Sequence, residues 1–149
     1  MMTPTEEKSN LQTDDLMKML EKPEGLSKLS DYPFYADTAR ELFAPMLSRF
    51  LAARQLHADE VARELLLSRS YIYQLLQGGR TPSREITLRL AFFLGLTLEE
   101  TQCFLRAAQR GALYPKVYRD SLLIHGLTQR LSLNEMQALL QAAHQEPLQ

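Results

Sequence analysis

An all-α fold without a sheet is what this sequence predicts. Its 29 leucines fall mostly at helical spacing, and clear alternation of apolar and polar residues is absent. Two capping boxes, Thr97-Leu98-Glu99-Glu100 and Ser132-Leu133-Asn134-Glu135, mark helix starts, because in each the first and fourth residues reciprocally satisfy free N–H groups. Pro and Gly punctuate the periodic stretches and set the boundaries.

In chain order, residues 1–12 are polar and expected to lack order. Thr13 is placed to cap a short helix from Asp14 to Glu21, and Pro23, Gly25 and Pro33 make residues 22–35 a linker. A short helical piece is expected from Asp37 to Phe43. Pro45 suits the first position of the next helix, where its missing N–H does no harm; that helix runs to about Arg54 with Met46, Leu47, Phe50 and Leu51 on one face. Two short helices follow, about 58–65 and 69–76, and Gly78-Gly79 ends the second. Ser83 caps a helix to about Leu94 whose buried stripe is expected at Ile86, Leu90, Phe93 and Leu94, with Gly95 as its stop. The first capping box opens a helix to about Gln109, ended by Gly111. Pro115 opens another, about 116–129, and the second box opens a last one to about Ala143, leaving residues 146–149 to fray. Residues 96–108 resemble residues 131–143, offset by 35, which local capping rules alone would produce.

The 149 residues accommodate one domain with an arm, not two full-sized domains. The longest apolar stretch, Leu90 to Leu96, is far short of the ~20 residues of a membrane span. The first residues carry no apolar core of a secretory signal, so a cytoplasmic location is expected. One cysteine, Cys103, leaves no internal disulfide, and its apolar surroundings suggest a buried thiol. His57, His125 and His144 lack the spacing of a metal pair, and Ser, His and Asp lack any nucleophile context, so no cofactor, metal or enzymatic activity is expected. The net charge of −1 hides a split: residues 1–42 are acidic, while residues 43–149 carry eleven Arg and one Lys against nine acids.

Chemistry concentrates between residues 56 and 95. Two short helices joined by Leu66-Leu67-Ser68 form the skeleton of a helix-turn-helix, with Val61, Ala62, Leu65, Ile72 and Leu75 placed to lock them together. Ser68 suits an N-cap. The residues after it, Arg69, Ser70, Tyr71, Tyr73 and Gln74, are hydrogen-bonding types; Arg can grip guanine bidentately and Gln adenine. Arg80 and Arg84 follow where a phosphate backbone would pass.

The set Val61-Ala62, Leu67-Ser68-Arg69, Gly78-Gly79-Arg80-Thr81-Pro82-Ser83 and Leu90-Ala91-Phe92-Phe93-Leu94-Gly95-Leu96 resembles the Cro/CI-type (XRE) helix-turn-helix family over about residues 45–100. Leu113-Tyr114-Pro115-Lys116 and the helices after it resemble a C-terminal extension of one bacterial subgroup. The resemblance implies a lambda-repressor-like five-helix domain whose third helix reads the major groove of double-stranded DNA in a transcription regulator of repressor type. It implies the layout 1–35 arm, 36–100 DNA-binding domain and 101–149 helical extension. Two residues depart from the family pattern: Leu66 stands where many relatives have Gly, and Leu76 where many have Glu. The apolar faces of the extension, Leu122, Ile124, Leu127, Leu133, Met136, Leu139 and Leu140, are expected to pair two copies as a homodimer. The competing reading is a protein-interaction module, antitoxin-like or adaptor, built on the same core; an apolar patch around the second helix would favour it.

Overall fold

The computed structural model describes residues 41–149, and among these there are seven α-helices and no strand. They are α1 (Phe43–Ala53), α2 (Ala58–Leu65), α3 (Arg69–Gln77), α4 (Arg84–Leu94), α5 (Leu98–Ala107), α6 (Tyr118–Thr128) and α7 (Leu133–Ala142). The expected helix at 14–21 and the linker at 22–35 lie outside the described residues. So does most of the piece expected at 37–43; Glu41 and Leu42 are not helical, and Phe43 instead begins α1. Pro45 is the third residue of α1, still within the first turn, where an N–H would have no partner inside the helix.

The caps follow the sequence closely. The Ser68 and Ser83 hydroxyls accept from the N–H groups of Tyr71 and Ile86, and both capping boxes are complete. Gly78 and Gly95 adopt the left-handed conformation at helix ends. The same conformation is taken by Gln55, Leu66, Gln109, Arg130 and His144, which no Gly-based rule marks. Gln109, not Gly111, therefore stops α5. Pro115 does not open α6; residues 114–117 make a turn, and the Val117 N–H donates to the Tyr114 carbonyl at 3.0 Å.

Two cores share α4 and α5. The first gathers Met46, Leu47 and Phe50 of α1, Val61 and Leu65 of α2, Ile72 and Leu75 of α3, Leu90 and Leu94 of α4, and Phe104 of α5. Phe104 stacks on Phe43 at 4.5 Å and meets Phe50 edge-on at 5.5 Å. The second core joins Leu88 and Phe92 of α4 and Leu105 of α5 to Leu123 and Leu127 of α6, Met136 and Leu140 of α7, and Leu113 and Leu148. The single stripe expected on α4 is thus incomplete. Leu88 and Phe92 are buried on a second face, while Ile86 and Phe93 are only half-buried. A domain boundary at residue 100 cuts through α5, whose Phe104 and Leu105 serve different cores.

The apolar faces of α6 and α7 that were expected to hold a second copy are covered within the chain only in part: Leu127, Met136 and Leu140 are buried, while Leu122, Ile124, Leu133 and Leu139 are half-buried. Leu123, Leu127, Met136 and Leu140 are buried against α4 and α5. The tail does not fray either. Gln137 donates to the Leu148 carbonyl and accepts from its N–H, both at 2.8 Å, and the Leu148 side chain is buried.

Candidate nucleic-acid interface

The turn between α2 and α3 is held from four sides. Leu66 takes the left-handed conformation at φ 55°, a geometry that costs a non-glycine residue about 1–2 kcal/mol. The Leu67 N–H donates to the Ala62 carbonyl at 2.9 Å, which closes the end of α2. Ser68 caps α3. From α4, the Arg89 guanidinium donates to the Leu65 carbonyl at the last turn of α2, where an unpaired acceptor and the negative dipole end favour a cation. Val61, Ala62, Leu65, Ile72 and Leu75 are all buried, as their spacing predicts.

With Ile72 and Leu75 facing the core, α3 presents Arg69, Ser70, Tyr73 and Gln74 to solvent. Gln77 belongs with them. It lies three residues past Gln74 and seven past Ser70, so it shares their face; that helical spacing is the signal by which the sequence marks it. Tyr71 is half-buried and packs on the first core, and burial pushes its phenol above the usual range. The Arg80 guanidinium lies 5.0 Å from the centre of the Tyr71 ring, which sets this exposed cation beside the reading face.

Arg69 is exposed and pairs with Asp59 of α2 at 2.7 Å, its guanidinium 5.5 Å from the Tyr73 ring centre. Contact with Tyr73, and then the charge of Asp59, keep it more firmly protonated than an ordinary Arg. A pair this exposed is screened by solvent and weak, so exchanging Asp59 for a phosphate or base costs little.

Arg84 is not on this surface, contrary to the sequence reading. It donates to Asp120 of α6 through both terminal nitrogens, at 3.2 and 2.8 Å, and to the carbonyls of Gly111 and Ala112. Asp120 is buried and also accepts from the Tyr114 N–H, so a fixed carboxylate outcompetes any mobile anion for this Arg. Leu76, the other departure, is half-buried on the first core rather than displayed on the reading face. Cys103 is half-buried rather than fully enclosed and accepts a weak hydrogen bond from Arg106 at 3.4 Å. Among the described residues no cluster of potential ligands has metal-binding geometry, and no helix is long and apolar enough to cross a membrane.

A capped second helix, an immobilised turn and a polar outward face define a helix-turn-helix protein. Residues 47–104, most of α1 through most of α5, match the family model described as a helix-turn-helix domain, consistent with the XRE-type resemblance. No curated protein and no solved structure matches the chain.

Proposed function

We propose that the chain is a sequence-specific DNA-binding transcription regulator, repressor-like in blocking the DNA it occupies, with α3 in the major groove. One observation carries this reading: Arg69, Ser70, Tyr73, Gln74 and Gln77 share one exposed face of a helix whose other face is locked into the core. Side chains on that face reach base edges, Arg to guanine and Gln to adenine. The free N–H groups at the start of α3 and the Arg80 guanidinium meet phosphates. The test is binding of the full chain to a genomic fragment library at low salt, followed by variants on the selected duplex. Arg69→Ala and Gln74→Ala are expected to lose about 1–3 kcal/mol of discrimination each, while Arg80→Ala weakens cognate and random duplexes alike. Equal losses for all three variants on both duplexes contradict this division of roles, and no duplex retention refutes the reading.

A second reading, a protein-docking module, is favoured by one observation. Leu66 is 91% exposed in the turn that leads into the reading helix. Leu66→Glu would weaken such docking, whereas on DNA it acts only through added negative charge, which high salt screens.

A further inference from the structure

We propose that α6 and α7 occupy the place that a second subunit's α4 and α5 would take, making the chain an internal pseudo-dimer with one reading head, whose target is a single asymmetric DNA site bound by one protein molecule. The statement about DNA rests on the function proposed above; the statement about one head stands on packing alone.

The repeat extends well beyond the two capped helices. Residues 83–113 return as residues 118–148, offset by 35, and several of their hydrogen bonds return with them. Gly95 and Arg130 stop the first helix of each hairpin in the left-handed conformation, and Gln109 and His144 stop the second. Gln102 exchanges two hydrogen bonds with the backbone of Leu113, as Gln137 does with Leu148. Arg84 donates to the carbonyls of Gly111 and Ala112, as Arg119 does to those of Glu146 and Pro147. Similar capping rules do not place two arginines and two glutamines on equivalent carbonyls.

The two hairpins also contact each other reciprocally. Arg84 of the first pairs with Asp120 of the second, and Arg119 of the second pairs with Glu85 of the first. Glu85 and Asp120 are equivalent positions, so each hairpin offers the other an Arg and a carboxylate from the same two positions. Likewise α4 packs on α7 and α5 on α6, contacts that exchange when the hairpins do. Such exchange is the signature of a two-fold, self-complementary interface. A simple stacked repeat would not give it.

Substitutions between the copies divide by face. At the contact the apolar residues persist: Leu88 and Leu123, Phe92 and Leu127, Leu105 and Leu140, Leu113 and Leu148, all buried. On the face where α4 carries the helix-turn-helix, Leu90 and Leu94 are buried, but their equivalents are the exposed His125 and Gln129. Ile86 and Phe93, half-buried there, become Ser121 and Thr128. The second hairpin has kept the surface that pairs and lost the surface that would seat a head. Because the self-complementary face of α4 and α5 is already occupied, it is closed to a second molecule.

The test uses the full chain in two arms. Sedimentation equilibrium up to tens of micromolar is expected to give the monomer mass of 17.1 kDa. Selection from a random duplex pool is expected to enrich one asymmetric sequence bound at one protein per duplex. A dimer in the first arm, or an inverted repeat with half-sites about 10–10.5 base pairs apart in the second, overturns the proposal. A monomer that enriches no sequence overturns the assigned target and the DNA reading together, while leaving the internal pairing supported.

Discussion

Among the described residues, several arginines satisfy backbone carbonyls at helix ends and in loops. Arg54 donates to the Leu94 carbonyl at the end of α4, Arg89 to that of Leu65 at the end of α2, and Arg110 to that of Pro82. With Arg84 and Arg119, five of the eleven arginines beyond residue 42 donate to backbone carbonyls of the fold. An excess of Arg in the sequence therefore reported architecture as much as any anion partner. Ion-pair partners more than thirty residues apart, such as Arg84 and Asp120, have no local signature. By contrast, Ser68, Arg69 and Gln74 were legible, because capping and helical face are local properties. Arg84→Ala leaves the buried Asp120 without its cation and is expected to cost about 2–4 kcal/mol in denaturant unfolding. The folded variant is expected to keep wild-type affinity for the selected duplex, whereas weakened binding at equal folded fraction would return Arg84 to the interface.

At the scale of elements, α4 explains the main gap in the sequence reading. One helix face facing the core is the usual pattern for a surface helix; α4 instead lies between two cores and buries Leu88 and Phe92 opposite Leu90 and Leu94. Periodicity tuned to one buried face does not register a second stripe on the opposite face. The second hairpin also shows a compensation within itself, beside Phe92 of the first. Ala91 and Thr101 of the first correspond to Gly126 and Met136 of the second. A Cβ added at Gly126 would stand 2.2 Å from the Met136 sulfur and 3.3 Å from the Phe92 ring. Gly126→Ala is therefore expected to destabilise the fold by about 1–3 kcal/mol through overpacking. Met136→Thr restores the small partner found in the first hairpin, and the double variant is expected to be more stable than the sum of the single changes predicts. Strict additivity in thermal or denaturant unfolding would contradict the compensation.

For the whole molecule, the all-helical class, the helix-turn-helix and most helix bounds followed from spacing and caps. The internal two-fold relation did not, because it resides in hydrogen bonds between hairpins and in residues whose types changed while their positions held. On the proposal of internal pairing, its consequence is a reading unit with one α3, and hence few phosphate contacts. The measurement that bears most directly on this account is the salt dependence of binding to the selected duplex. One head neutralising about 3–5 phosphates gives a log–log slope of roughly −3 to −4.5, reduced by about one in Arg80→Ala and unchanged in Arg84→Ala. A slope near zero would contradict a helix seated in the groove, and one between about −5 and −9 would show two heads on the DNA.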